Sequence, residues 1–341
     1  MNEKVYTDEN FDESVEELCH YWREKGFPNY DSDSYNKEKE LDKIIKFDES
    51  TIFKDGCFNQ TMHGCGFLWT YFPHWIDVKC GKDEKSLIEN WNDDGQLKSM
   101  MKKTLKFVIK YEYGKLSINR LRQNAKVYCS KQSVSNFRPT VAKYIYNTYG
   151  NNGVIWDMSS GWGGRLLGFL SSNCKKYIGT EPSTETYDGL IKLKNDFSYV
   201  NKEIELYKMG SEDFVPEKES LDLCFTSPPY FDTEKYSTEE TQSYIKYSTK
   251  DDWINGYLKK TIGNCYHGLK NDAYMIINIS NTPEYDFLEK ETMKLSTEIG
   301  FNHINTYHLK LSSISGKGVK KEPVFIFKKE IISDDNWFDR L

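Results

Sequence analysis

The sequence lacks the features of membrane, exported and disulfide-stabilised proteins. No apolar run among its 341 residues approaches the roughly 20 residues that a membrane-spanning helix needs. The first 22 residues are acidic and show no basic-then-apolar export signal. The eight cysteines are scattered without a Cys-x-x-Cys pair, a pattern typical of buried free thiols. We therefore expect a cytoplasmic protein that contacts no membrane.

Familiar metal-binding patterns are missing as well. Cys57, His63, Cys65, His74 and Cys80 lie in one region of the sequence. Their spacing matches no known tetrahedral zinc pattern, in which two close pairs of ligands are usual. We therefore expect no metal site.

Net charge is small, at −6, but it conceals two blocks of opposite sign. Residues 1–50 carry 15 acidic and 7 basic side chains, whereas residues 98–143 carry 12 basic side chains and one acid, Glu112. A basic block of this kind is typical of a nucleic-acid-binding surface, although a solvated helix face has the same composition. The candidate nucleic-acid contacts in the basic block are Lys102, Lys103, Lys106, Arg120 and Arg122.

Residues 1–130 are predicted to form a mainly helical region. Helices are expected at 86–93 and at 96–113, with another that begins near Ser117. The segment 116–137 could also form a helix-turn-helix, although its turn lacks the usual glycine. This region is the candidate target-recognition domain.

From Asn151 onward, short apolar runs alternate with helical patterns. Alternation with short links predicts an α/β domain with a doubly wound, mostly parallel sheet. The last two apolar runs, HINTYHLKLSS and EPVFIFKKE, predict an antiparallel hairpin at the edge of that sheet. We assign residues 131–330 to this domain and residues 331–341 to a C-terminal tail.

The turn after the first predicted strand reads DMSSGWGGRLLG, with Asp157 at the strand end and glycines at 161, 163 and 164. Glycines there let the backbone approach a ligand closely, and the following helix offers unpaired N–H groups. Glu181 ends the next strand, where an acid can accept hydrogen bonds from both hydroxyls of a ribose. Together they predict a nucleoside ligand. Ser211 and Glu212, after the third strand, either border an adenine edge or form an ordinary surface turn.

The fourth strand of the domain ends in LDLCFTSPPYF. Two adjacent prolines remove two backbone donors and fix two φ angles, so the strand cannot continue through Pro228 and Pro229. A hydroxyl, that of Ser227, precedes them, and the ring of Tyr230 follows. We call residues 227–230 the diproline corner.

These motifs resemble the S-adenosylmethionine-dependent amino-methyltransferases that act on nucleic-acid bases, over about residues 130–330. The glycine turn, Glu181, the Ser-Pro-Pro-Tyr corner and the stretch NFRPTVAKYIYNTY match that family, while Met158-Ser159 replaces its usual Pro-Phe after the first-strand Asp. The resemblance implies a Rossmann-like fold and S-adenosyl-L-methionine as cofactor. It implies cofactor contacts at Asp157, Ser159, Gly161, Trp162, Gly163, Glu181, Pro182, Ser211, Glu212 and Arg138.

The resemblance also implies the chemistry of the corner. The exocyclic amine of a base is a poor nucleophile because its lone pair is delocalised into the ring. The Ser227 hydroxyl and the Pro228 carbonyl, which the two prolines hold outward, can accept hydrogen bonds from its two N–H groups and localise that pair. Tyr230 offers a ring on which an extruded base can stack, and Phe231 lies next to it.

The sequence leaves several hypotheses open about the substrate, the target base and the segment after the corner. DNA is the expected partner, RNA is possible, and an inactive nucleic-acid-binding relic of the fold is a third alternative. Ser at the first corner position slightly favours cytosine N4 over adenine N6. The polar segment 231–253 is either a lid or a surface loop. The target sequence, any restriction-modification partner and the oligomeric state are left undecided by the sequence.

Overall fold

The structure, a computed structural model, describes residues 4–81, 85–130, 133–312 and 319–330. The chain forms two compact units. Unit 1 comprises Met1–Asp31, Pro73–Ser135 and Glu234–Tyr236, and unit 2 comprises Ser32–Phe72, Asn136–Thr233 and Ser237–Leu341. The predicted boundary at 130 lies close to the end of the second segment of unit 1, whereas residues 32–72 belong to unit 2. The predicted tail, 331–341, lies outside the described residues.

Helices account for most of the secondary structure before residue 150. The α-helices are α1 (Phe11–Lys25), α2 (Lys37–Ile45), α3 (Cys65–Leu68), α4 (Leu87–Trp91), α5 (Asp94–Tyr111), α6 (Ile118–Tyr128), α7 (Pro139–Tyr149), α8 (Gly164–Leu170), α9 (Thr184–Asp196), α10 (Ser243–Lys246), α11 (Lys250–Trp253), α12 (Lys259–Gly268) and α13 (Leu288–Ile299). A π-helical turn, Ile254–Leu258, joins α11 to α12.

Most of the longer strands follow residue 150. The strands are β1 (Phe53–Lys54), β2 (Cys57–Phe58), β3 (Lys79–Cys80), β4 (Val154–Asp157), β5 (Lys176–Thr180), β6 (Glu203–Tyr207), β7 (Leu221–Thr226), β8 (Glu234–Lys235), β9 (Leu269–Asn278), β10 (Phe301–Ser312) and β11 (Val319–Lys329).

Unit 1 is organised around α5, which packs against α1, α4 and α6. Side-chain caps fix where its helices begin: Asp93 accepts from the N–H of Gln96, and Ser117 from that of Arg120. The prediction of a mainly helical region is confirmed. The helix-turn-helix alternative for 116–137, which the missing turn glycine already disfavoured, does not occur, because the described part of that segment contains the single helix α6.

Unit 2 is built on a nine-stranded sheet in the order β1-β2-β10-β11-β9-β7-β4-β5-β6. Strands β9, β7, β4, β5 and β6 are parallel, and β11 runs antiparallel to both β9 and β10. The predicted doubly wound, mostly parallel Rossmann-like sheet with an antiparallel hairpin is therefore confirmed. Strand β2 pairs in parallel with β10, so β1 and β2 extend the sheet beyond the hairpin.

Helices cover both faces of this sheet, as β7 illustrates. All six residues of β7 are buried, and successive side chains point to opposite faces. Phe225 contacts Tyr146 of α7, with ring centroids 5.7 Å apart. Cys224, on the other face, belongs to the cluster that includes Trp253 and Ile262. Because parallel strands share a carboxyl edge, the segments after β4, β5, β6 and β7 meet there.

Within the described chain, none of the helices combines the length and apolar character that crossing a bilayer requires. All eight cysteines are unpaired, and every one except Cys19 is buried, which confirms the prediction of buried free thiols for seven of them.

Candidate active site

The three glycines after β4 serve different purposes. Gly161 and Gly163 have φ angles of +53° and +72°, which favour glycine, and Gly164 begins α8. A Cβ on Gly164 would lie 2.1 Å from the Phe137 carbonyl oxygen, so this glycine permits close packing. A Cβ on Gly161 would meet nothing nearer than the Ser159 carbonyl, at 3.7 Å. The backbone at Gly161 is therefore open to a ligand.

Asp157, at the end of β4, connects this strand to the start of β5 and to the end of β7. It is fully buried, and its carboxylate accepts from Arg165 Nε (2.9 Å), the Tyr177 hydroxyl of β5 (2.7 Å) and the Thr226 hydroxyl of β7 (3.1 Å). The N–H of Ser159 is a fourth donor, at 3.3 Å. These contacts occupy the carboxylate, so the geometry supports a positioning role for Asp157. Its predicted contact with a cofactor stays a prediction.

Sequence reasoning missed Arg165. Its guanidinium is 5% exposed and pairs with Asp157, and it also donates to the carbonyl of Ser159. A cation inside the otherwise apolar run GGRLLGFL was the available signal, because a buried charge needs a buried partner. Arg165 fixes the backbone at the start of the glycine turn.

Glu181 follows β5 and faces the glycine turn. Its Oε2 accepts from the N–H of Gly161 and its Oε1 from the N–H of Ser183, both at 3.0 Å. The side chain is 8% exposed, and burial raises its pKa to about 7, although both N–H groups act in the opposite direction. A carboxylate beside an open glycine backbone can accept hydrogen bonds from vicinal hydroxyls. The neighbouring Pro182 is half-buried, and its carbonyl accepts from Thr241 at 3.1 Å.

The segment after β6 contributes a second acid. Ser211 is buried, with its hydroxyl 2.8 Å from that of Thr261. Glu212 is 6% exposed, and its Oε1 accepts from Lys246 Nζ at 2.9 Å. No described residue hydrogen-bonds to its buried Oε2. A buried carboxylate oxygen without a donor is costly, and an amine on a ligand would relieve that cost.

Tyr257, on the π-helical turn, is another residue that sequence reasoning missed. Its hydroxyl lies 3.1 Å from the Ser159 hydroxyl, and the side chain is 3% exposed. Burial raises the pKa of Tyr257, while the hydroxyls of Ser159 and Ser211 act to lower it. Tyr257 lies 98 residues after Ser159, so no local sequence pattern could have paired them.

Trp162 and Arg138 lie on the side of the glycine turn near α7. Trp162 is nearly buried against Trp69 and Phe72, with ring centroids 5.5 and 5.8 Å away. Its carbonyl accepts from Asn136 Nδ2 at 2.6 Å. Arg138 Nη1 donates to the Asn136 carbonyl at 2.7 Å, while its buried Nε has no acceptor among the described residues.

The diproline corner follows β7 directly. The contact between Thr226 and Asp157 fixes the end of this strand beside the glycine turn. Ser227 is half-buried, and no described residue hydrogen-bonds to its hydroxyl or to the carbonyl of Pro228. Pro229 and Tyr230 are half-buried, and the Tyr230 hydroxyl lies 3.5 Å from the carbonyl of Asn278. The corner thus presents two acceptors that the protein itself leaves unused.

Phe231 holds an unusual conformation immediately after the corner. Its φ of +56° is a costly value for a bulky residue, and such strain is concentrated at functional sites. The ring is 8% exposed and packs against Trp253 and Tyr285, with centroids 5.7 and 5.3 Å away. Phe231 therefore fixes the chain behind the corner. Its predicted contact with substrate stays a prediction.

Residues 237–247, which we call the strap, are held at the carboxyl edge by polar contacts. Glu239 accepts from the N–H of Thr184 at 2.9 Å, at the start of α9. The contacts of Thr241 and Lys246 described above tie the strap to the segments that follow β5 and β6. Three separate attachments restrict this part of the predicted lid or loop.

The predicted nucleic-acid contacts in unit 1 fall into two groups, of which the lysines are one. Lys102, Lys103 and Lys106 are exposed on α5, and Lys103 Nζ lies 5.0 Å from the Tyr128 ring centroid. In the part of the chain that the structure describes, none of the three forms an ion pair. Their charges are available to a polyanion.

The arginines form the other group, and their guanidinium groups are used within unit 1. Arg120 Nε donates to Glu112 at 2.7 Å. Arg122 Nε donates to the Pro28 carbonyl at 2.6 Å, and its guanidinium lies 4.4 Å from the Tyr30 ring centroid. Among the described residues, no group of three or more His, Cys, Asp or Glu could hold a metal ion.

No protein-family model and no curated protein sequence matches the chain. Solved structures match it weakly. An S-adenosylmethionine-dependent methyltransferase from Methanosarcina mazei is 15% identical, with 55% of this chain and 98% of that chain covered and a TM-score of 0.39.

Two further structures show the same level of similarity. A putative RNA methyltransferase from Pyrococcus horikoshii is 16% identical over 57% of this chain and 83% of that chain, with a TM-score of 0.38. The 1,6-didemethyltoxoflavin-N1-methyltransferase from Burkholderia thailandensis, with S-adenosylhomocysteine bound, is 12% identical over 52% and 71%, with a TM-score of 0.37. At this level of similarity, the three structures indicate neither the activity nor the substrate of this chain.

Proposed function

We propose that the chain is an S-adenosyl-L-methionine-dependent methyltransferase that modifies the exocyclic amine of a nucleic-acid base. The observation that carries the proposal is the pair of unused acceptors at Ser227 and Pro228 beside the glycine turn. The hydrogen bond of 3.1 Å between Thr226 and Asp157 holds the corner next to that turn. Acceptors fixed before the reaction can stabilise charge where it develops.

The residues around the glycine turn fit the proposed cofactor. The open backbone at Gly161 admits a close ligand, and Glu181 can accept from ribose hydroxyls. The unsatisfied Oε2 of Glu212 suits the amine of an adenine. When bound, the cofactor would supply an electrophilic methyl group on a sulfonium.

The corner would activate the amine by accepting hydrogen bonds from its two N–H groups. Ser227 Oγ and the Pro228 carbonyl would draw the nitrogen toward tetrahedral geometry and free its lone pair for attack. Tyr230, which is half-buried, would support the extruded base by stacking. Ser227 is a hydroxyl rather than a carboxylate, which we read as slightly favouring cytosine N4 over adenine N6.

We propose DNA as the polymer and unit 1 as its binding surface. The three exposed lysines of α5 would contact phosphates, which bind without regard to sequence. RNA would satisfy the same charges and is the second candidate substrate. A relic without activity is disfavoured by Glu181 and the corner, since both keep the side chains that the proposed chemistry needs.

The direct test exposes the purified chain to S-adenosylmethionine carrying a labelled methyl group, with DNA and RNA in parallel. The polymers are then digested and the methylated nucleoside is identified by mass. We expect N4-methylcytosine or N6-methyladenine in DNA. Label in RNA alone would show that RNA is the substrate. Cofactor binding without methyl transfer to either polymer would favour an inactive relic of the fold.

A further inference from the structure

The π-helical turn Ile254–Leu258 joins α11 to α12, and its Tyr257 contacts the glycine turn. Such turns insert an extra residue into a helix, and they are frequent at functional sites. Here Trp253 and Tyr257 lie four residues apart, with ring centroids 5.2 Å apart and planes inclined by 35°. Both side chains are buried. The two rings therefore form a buried, tilted contact where α11 meets the turn.

Tyr257 reaches the glycine turn on one side of this pair. Its hydroxyl lies 3.1 Å from Ser159 Oγ. Two hydrogen bonds already hold the backbone of Ser159. Its N–H donates to Asp157, and its carbonyl accepts from Arg165. The contact with Tyr257 is the only hydrogen bond that the Ser159 hydroxyl makes among the described residues.

The helix that carries Tyr257 also holds the segment after β6. Thr261 Oγ1 lies 2.8 Å from the hydroxyl of Ser211. Asn264 Nδ2 donates to the carbonyls of Ser211 and Glu212, at 3.1 and 3.3 Å. One helix therefore fixes segments that follow two different strands of the proposed cofactor site.

On the other side of the pair, Trp253 contacts the residue that follows the diproline corner. Its ring centroid lies 5.7 Å from that of Phe231, the strained residue that follows the corner. Ring contacts thus run from Phe231 through Trp253 to Tyr257, and a hydrogen bond continues the line to Ser159. This is a continuous physical connection between the corner and the glycine turn.

We infer that Tyr257 is a positioning residue that fixes Ser159 for cofactor binding and links the glycine turn to the diproline corner. The inference rests on the proposed function, since it assigns Ser159 to the cofactor site. Removal of the Tyr257 hydroxyl leaves both ring contacts in place and releases the Ser159 side chain. Cofactor affinity should then fall while the fold persists.

A double-mutant cycle tests the hydrogen bond. Tyr257→Phe, Ser159→Ala and the double variant are compared by calorimetry for S-adenosylmethionine binding. We expect each single variant to raise the Kd about 2- to 10-fold, the range of one net hydrogen bond, and the double variant to bind no more weakly than either single variant. Wild-type affinity in Tyr257→Phe, or multiplicative losses in the double variant, would overturn the inference.

Tyr266→Phe is the matched control, because it removes a hydroxyl from α12 that lies 3.4 Å from the Glu330 carbonyl. We expect this control to keep wild-type affinity, and Tyr257→Phe to lower the ligand-free melting temperature no more than the control does. The link to the corner predicts that Tyr257→Phe also lowers the single-turnover rate at saturating cofactor. An unchanged single-turnover rate would show that Tyr257 does not connect the glycine turn to the diproline corner. A wild-type chain that binds no S-adenosylmethionine would instead refute the proposed function itself.

Discussion

The two halves of the carboxyl edge use their polar groups in opposite ways. In the half that follows β4 and β5, Asp157 takes four hydrogen bonds and both oxygens of Glu181 are engaged. In the half that follows β7, no described residue hydrogen-bonds to the Ser227 hydroxyl or to the Pro228 carbonyl. Pro228 is buried and Ser227 is half-buried, so the protein leaves both acceptors for a partner from outside.

This contrast separates residues that build the site from residues that act in it. Substitutions among the paired groups should lower the free energy of unfolding, because they leave buried partners unsatisfied. Substitution of Ser227 should cost no stability and should affect only the reaction.

Arg165→Met should destabilise the protein most. Asp157 would remain as a buried charge without its ion-pair partner, which typically costs about 3–5 kcal/mol. Arg23→Met provides the control, since Arg23 pairs with the almost fully exposed Asp94 and such pairs contribute about 1 kcal/mol or less. Urea unfolding of both variants measures the difference. Equal losses of unfolding free energy in the two variants would show that the Arg165–Asp157 pair does not stabilise the site.

Glu181 should make stability and cofactor affinity depend on pH in opposite directions. Its pKa is raised from 4.5 to about 7, so folding disfavours the carboxylate. The stability it contributes is full below pH 4.5 and is lost as pH rises through about 7, a change of about 3 kcal/mol. Cofactor binding needs the carboxylate, so the Kd should rise by up to about tenfold per pH unit below 7.

Unfolding and calorimetry at pH 5.5 and pH 8 measure both effects of Glu181. Glu181→Gln should abolish this part of the pH dependence of stability and should bind the cofactor weakly at every pH. Glu203→Gln, at an exposed position of β6, is the control and should keep the wild-type profile. A Glu181→Gln variant with the wild-type pH profile would show that Glu181 does not titrate in this range.

Two glycine substitutions separate packing from ligand access. Gly164→Ala should cost about 1–3 kcal/mol, because its Cβ would collide with the Phe137 carbonyl. Gly161→Ala meets open space and should cost about 1 kcal/mol for its positive φ alone, yet it should bind the cofactor poorly. Thermal unfolding and calorimetry measure the two properties. Normal cofactor binding by Gly161→Ala would argue against the proposed site.

The smallest effect concerns the exposed lysines of unit 1. Lys103→Gln should weaken DNA binding a few-fold and reduce the slope of log affinity against log salt by about 1. The double variant Arg120→Gln/Glu112→Gln removes an ion pair without changing net charge, and it should leave the slope unchanged. Titrations at several salt concentrations give both slopes. Identical slopes for Lys103→Gln and the wild-type chain would remove this lysine from the proposed surface.

The sequence predicted the fold where local signals were strong. Apolar runs bounded by glycine and proline marked the strands, and Ser86 and Ser117 marked helix starts that the structure confirms as caps. Strands β1 and β2 were missed because each has two residues, too few for any periodicity. The membership of 32–72 in unit 2 depends on distant pairing, such as Cys57 with His308, which no local pattern encodes.

The candidate site was predictable only where its residues follow strand ends. Asp157, Glu181 and Ser227 each come at or directly after a predicted strand, so topology brings them to one edge. The pairing of Arg165 with Asp157 and that of Tyr257 with Ser159 depend on tertiary packing. For the same reason, the sequence could not distinguish Asp157 as a positioning group from Asp157 as a ligand contact.

The rate of methyl transfer by Ser227→Ala tests the central claim most directly. The measurement is a single-turnover rate with labelled S-adenosylmethionine and the methylated polymer, together with the cofactor Kd and the free energy of unfolding. We predict a rate about 100- to 1,000-fold below wild type, as for loss of one preorganised hydrogen-bonding group, with a Kd within twofold and unchanged stability. Ser227→Asp, which keeps an acceptor, should be faster than Ser227→Ala. A wild-type rate in Ser227→Ala would contradict the account.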